Sequence, residues 1–255
     1  MQPTKFPNTI RKTLAKLAVR LVCAAPALLA ASGAVAAPPA SDAHMAPVEA
    51  YLMDRAEEIA LAKSAAPEAI SKDATVLVLT RGGYTTAVAG TNGFVCLVER
   101  GFSGAPDWSE RWNPKIRAAG CLNPQAARSI LPIDRLRTDL TIAGRTDAEI
   151  LDRIKAALRS RAIPPLGAGA MCYMMAKAAY LSDYGEHGMA HVMVYLPTKD
   201  GADWGANQPN SPIMGGNYWF FLPEHAAQAA ELPPVSVLLI GAATWSDGTP
   251  AAMKM

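Results

Sequence analysis

Between Thr75 and Glu99 the chain reads TVLVLTRGGYTTAVAGTNGFVCLVE, a stretch with the short period and β-branched composition of strands rather than helices. Thr75 to Thr80, Tyr84 to Ala89 and Phe94 to Glu99 are runs rich in valine, threonine and aromatic residues. Between them lie Arg81-Gly82-Gly83 and Gly90-Thr91-Asn92-Gly93. Glycine and asparagine tolerate the positive φ that tight hairpins demand, so the pattern predicts a three-stranded antiparallel meander.

Helical patterns flank these strands. Upstream, Val48 to about Ala65 places Val48, Leu52, Ile59 and Ala60 near one face and Glu49, Arg55, Glu58 and Lys63 near others. Its acids come early and its lysine late, which suits the helix dipole. Downstream, an irregular loop holding Trp108, Trp112 and Pro114 leads to Asn123, a helix cap with Pro124 at the first helical position. That helix should bend near Pro132 and close at Gly144. Thr146-Asp147-Ala148-Glu149 then spells a capping box, and Ile150, Leu151, Ile154 and Leu158 give the next helix a buried face that ends before Pro164-Pro165.

The last third returns to runs of strand length: Met171 to Ala176, His191 to Leu196, Tyr218 to Leu222 and Val235 to Ile240. Such segregation predicts one α+β domain over residues 48–255, a mainly antiparallel sheet with an N-terminal helix and a central helical insertion.

Residues 1–36 have the three parts of a secretory signal peptide. Lys5, Arg11, Lys12, Lys16 and Arg20 form a positive start, Leu21 to Ala31 is apolar, and Ala34-Val35-Ala36 offers small residues for cleavage. Residues 37–47, rich in alanine and proline, are then a flexible mature N-terminus. The whole chain has 24 basic and 22 acidic side chains, and the leader removes five bases and no acids, leaving 19 against 22, or −3. With no basic cluster interleaved with aromatics, nucleic acid is not an expected partner. No later apolar run reaches the roughly 18–20 residues of a membrane span. No glycine pattern of a nucleotide-binding loop occurs in a strand-to-helix setting, and no cofactor is expected.

Export places the remaining cysteines, Cys96, Cys121 and Cys172, in an oxidising compartment. Cys96 with Cys121 is the favoured disulfide, closing a loop of about 25 residues that contributes roughly 3 kcal/mol. The alternative is three small buried apolar side chains. Cys172 follows a glycine-rich segment and precedes His191, the order of a cysteine-dependent hydrolase or transferase with a nucleophile and a base. Met171 to Met175 reads equally well as a buried strand around a structural thiol. His187 and His191, among several methionines, suggest a metal site, although Gly185 and Gly188 break the helix that would align them. Trp204, Asn207 and Gln208 lie in a loop of amides and turn formers that reads first as an ordered turn anchoring Trp204, with a pocket wall as the functional alternative.

Five segments, TNGFVCLVER from Thr91, WNPKIRAAGCLNP from Trp112, GAMCYMM from Gly169, WGANQPNSP from Trp204 and WSDGT from Trp245, together resemble a group of uncharacterised exported bacterial proteins. The resemblance implies export and brings no catalytic or binding residue with it. The expected function is non-catalytic binding of a small molecule or a protein. A hydrolase using Cys172 and His191 is the first alternative and a metal-binding protein the second.

Overall fold

The computed structural model describes residues 44–184 and 188–251. The expected leader, residues 37–43 and His187 therefore lie outside the described residues. Among the described residues, no helix is long and apolar enough to cross a membrane.

The expected first helix is divided. Val48–Tyr51 is a 3-10 turn, and the α-helix proper, α1 (Arg55–Lys63), starts where the Asp54 carboxylate accepts from the backbone of Ala56 and Glu57. A short turn of helix, α2 (Glu68–Ser71), leads into the first strand. After the strands that follow, Asn123 caps α3 (Pro124–Ser129), as its side chain accepts from Ala126 N at 3.0 Å. Chain direction changes at Ile130, two residues ahead of Pro132, and α4 (Leu131–Ile142) continues to a close at Gly144, φ 71°. The capping box forms as the residues require: Thr146 Oγ1 accepts from Glu149 N, and Glu149 Oε2 accepts from Thr146 N, at the start of α5 (Asp147–Arg159). A last turn of helix, α6 (Ala226–Ala229), precedes the final strand.

Eight strands make one sheet: β1 (Thr75–Thr80), β2 (Gly83–Val88), β3 (Val95–Glu99), β4 (Ala118–Leu122), β5 (Met171–Met174), β6 (His191–Leu196), β7 (Ile213–Asn217) and β8 (Ser236–Gly241). Their spatial order is β2-β1-β3-β4-β5-β6-β8-β7, and every pairing except β1 with β3 is antiparallel. The fold is α+β with a mainly antiparallel sheet.

Three expectations are corrected. The meander is not formed, because β3 crosses to the far side of β1 and lies parallel to it, with Thr75 opposite Val95. At the crossing, a Cβ on Gly90 would sit 2.2 Å from backbone atoms of Ala74 and Thr75, so only glycine lets the two segments pass. Asp73 O accepts from Thr91 N, and Asn92 donates to Ile70 O, which pins the crossover. Second, β4 occupies a segment that reads as loop and helix entry. Third, Tyr218 to Leu222 is not a strand: the Asn217 carboxamide accepts from Trp219 N and Phe220 N, and Asp107 accepts from Phe221 N and Leu222 N. Side chains claim the backbone donors that a ladder would need. β7 lies just upstream instead.

Both faces of the central strands are covered. On one, Leu77, Leu97, Leu122 and Cys172 pack with Ile130 at the junction of α3 and α4, Ile133 of α4, and Ile150 and Ile154 of α5. On the other, Val76, Cys96, Val98 and Cys121 pack with Ala62, Ala65 and Ala66 at the end of α1. Burying each large aliphatic side chain contributes roughly 1.5–3 kcal/mol, so this double-sided core dominates the stability. Cys96 and Cys121 are direct cross-strand partners with their sulfurs 2.00 Å apart, the favoured pair.

Glu58, assigned by periodicity away from the apolar face, is 1% exposed. Its carboxylate receives Arg100 Nη2 at 2.9 Å and Leu79 N at 3.1 Å, while Arg100 Nε donates to Tyr51 O at 2.7 Å. Ala60 takes an exposed position in its place.

Candidate functional site

The register puts Cys172 opposite Met193 and His191 opposite Met174, so both side chains project from the same face on neighbouring strands, displaced by two residues. Cys172 is 3% exposed, and burial raises its thiol well above the ordinary range, with the Glu99 carboxyl adding to the effect. A thiol so placed stays protonated. His191 is 4% exposed, and its Nδ1 lies 2.8 Å from the Met189 carbonyl, which can only accept. Nδ1 therefore carries the proton, and burial lowers the imidazole pKa. Cys172 also projects from the sheet face opposite the Cys96–Cys121 pair, since Cys121 stands opposite Tyr173 and Leu122 opposite Cys172.

The loop with Trp204 is folded on itself. Asn207, φ 59°, donates Nδ2 to Gly215 O at 2.9 Å and accepts from Gly215 N at 3.0 Å. Its carboxamide thus occupies the outer edge of β7 as a strand residue would. Trp204 is 55% exposed, and Gln208 is exposed in a turn whose carbonyl accepts from Ser211 N. Trp204 and Gln208 are both exposed to solvent beside this ordered turn. Among the described residues no group of three His, Cys, Asp or Glu side chains could hold a metal ion.

The structure assembles two features from residues that no sequence pattern connects. The first is an apolar cleft of ≈ 220 Å³ where α3, α4 and the end of α5 face the segments entering and leaving the sheet. Trp219, 2% exposed, forms one wall, fixed by its Nε1 donating to Pro233 O at 2.8 Å. Ile130, Ile133 and Leu158 line the helical side, and Pro164, Pro165, Pro197, Pro233 and Pro234 form the rim. Proline has no N–H and a fixed φ, so this rim offers no unsatisfied donor and is already ordered.

The second is a polar cluster beside Trp219. Tyr218 Oη donates to Asp134 Oδ1 at 2.6 Å, Arg137 lies 3.9 Å from the same oxygen, and the Asp134 and Glu99 carboxyls hydrogen-bond to each other. Burial pushes Asp134 up to about 6, against the opposing pull of Arg137 and Tyr218. Burial and the neighbouring Asp134 carboxyl push Glu99 well above the carboxylate range. Two carboxyls so close disfavour a double negative charge, which favours the form that shares a proton.

This pair has a sign that can be tested. Carboxyls whose folded pKa is raised stabilise the fold most below their unfolded pKa, and that contribution is lost as pH rises through about 6. Asp134→Asn keeps an acceptor for Tyr218 and removes the titration of Asp134 itself, leaving that of Glu99 in both proteins. Urea midpoints between about pH 4 and pH 7 should show the wild type losing on the order of 1–3 kcal/mol relative to the variant.

No known protein family, curated protein or solved structure matches the chain.

Proposed function

We propose that this chain is an exported, non-catalytic protein that binds a small apolar molecule in the cleft beside Trp219. The observation that carries this reading is the cleft itself: preformed, almost wholly apolar, and walled by an indole held in place by its own hydrogen bond. Small-molecule sites have this character. A cavity of about 150 Å³ suffices for a benzene-sized guest, so ≈ 220 Å³ suits one aromatic ring or a short alkyl chain. The rigid rim reduces the ordering cost of binding. The protonated Cys172 thiol and the buried neutral His191 support a binding role over nucleophilic chemistry. The Cys96–Cys121 pair supports export, since such bonds persist in oxidising compartments.

Calorimetric titration with indole, benzyl alcohol and octanol tests this reading. At least one should bind with a dissociation constant between about 10 µM and 1 mM, as expected for a guest of this size. Leu158 is partly buried on the cleft wall, and Leu158→Trp fills the space without opening the core. That variant should bind at least about tenfold more weakly while unfolding at nearly the wild-type temperature. Equal binding by both proteins would place the guest elsewhere.

A further inference from the structure

On the other side of Trp219 lies a second, much smaller cavity, ≈ 20 Å³, lined by Arg111 and Arg137. Both arginines are 5% exposed, and a buried guanidinium is costly unless its donors are used. Here they are not. Arg111 Nη1 meets Asp147 Oδ1 at 2.6 Å and Pro106 O at 3.3 Å, but its buried Nε has no hydrogen-bond partner among the described residues. Arg137 reaches Asp134 only at 3.9 Å, beyond hydrogen-bond length, and otherwise lies over the rings of Tyr218 and Trp219 at 5.0 and 5.7 Å.

We propose that this cavity binds one small monovalent anion, with chloride as the probe. Its volume admits about one water-sized sphere, which excludes carboxylate-bearing metabolites and phosphates. Phe102, Ile150, Ile154 and Phe220 contribute apolar wall, and the one carboxylate in the lining, Asp147, is already paired with Arg111. A water there would have to share the Arg111-paired Asp147 carboxylate as acceptor for its hydrogens, whereas a halide only accepts. Positive potential also comes from the first turn of α5, a helix of 13 residues whose Asp147 and Ile150 border the cavity. Of the three nearby acids, Asp147 is 57% exposed and screened by solvent, and Asp134 and Glu99 lie against each other and Tyr218, where burial and mutual repulsion disfavour a double negative charge. The site does not depend on occupancy of the Trp219 cleft.

Thermal unfolding in chloride, compared with gluconate at constant ionic strength, tests the proposal. Chloride should raise the Tm with the logarithm of its concentration once above its dissociation constant, by about 3–6 °C at ten times that constant. Arg137→Gln and Arg111→Gln should each lose that rise. Should either variant fail to fold, chlorine NMR of the wild type reads the same site: the chloride line broadens with protein and sharpens when bromide competes. Equal Tm values in the two salts without line broadening would mean that the cavity holds water, and the proposal would fail. A rise retained in both arginine variants would equally overturn it.

Discussion

Arg100→Met destabilises the folded chain by about 3–5 kcal/mol, because it leaves the Glu58 carboxylate buried without its counter-charge. The loss exceeds one ion pair. Arg100 also donates to the carbonyls of Tyr51 and Val98, and the Tyr51 carbonyl would be stranded in the interior. Tyr84 Oη still reaches Val98 O at 2.8 Å, so the damage concentrates where α1 meets the sheet. Chemical denaturation measures the difference. The double variant Glu58→Leu/Arg100→Met removes both charges together and should recover most of the loss, since replacing a whole buried pair by apolar side chains is often neutral or better. A double variant as unstable as the single one would show that the backbone contacts of Arg100, not its charge, govern this junction.

The second large effect concerns Cys96 and Cys121. Replacing both by alanine, or reducing the bond, removes a constraint that closes 25 residues of chain and costs about 3 kcal/mol. Both sulfurs lie in the cluster formed with α1, so the alanine variant additionally loses some packing there. Urea midpoints with and without reductant separate the two contributions: the wild type should shift on reduction, and the double alanine variant should not. Cys172 supplies an internal control. Buried on the opposite sheet face with its thiol held protonated, it should react with a thiol probe only as fast as the protein opens.

The local signals were legible because local chemistry wrote them. Asn123-Pro124, Gly144 and the Thr146 capping box mark helix ends through bonds made within a few residues, and the structure places them as the sequence reads. Strand order was not local. The run TVLVLT is buried on both faces in the sheet interior, whereas Thr85 and Thr86 of β2 are exposed at its edge. A continuously apolar β1 beside a polar β2 is the pattern of a central strand and an edge strand, which a meander with β2 in the middle contradicts. Glu58 was misplaced because helical period locates a residue on a face but cannot see Arg100 arriving from 42 residues away.

The candidate site was less visible still. Pro164-Pro165, Pro197 and Pro233-Pro234 read as terminators of helices and strands, which they are, and only their convergence around Trp219 turns them into a rim. Glu99 was the one available hint of the polar cluster: an acid standing among apolar strand residues needs a partner. Asp134, Arg137 and Tyr218 reach it through tertiary packing across α4 and the turn after β7, and no spacing in the chain announces that meeting.

Diffraction from crystals soaked with 4-bromobenzyl alcohol tests the binding role most directly, because bromine reports its own position by anomalous scattering. The expected result is a peak between Trp219, Ile133 and Leu158, absent from crystals of Leu158→Trp. Bromine found only on the exposed Trp204 or Phe221 surfaces, with the Trp219 cleft empty at saturating ligand, would contradict it.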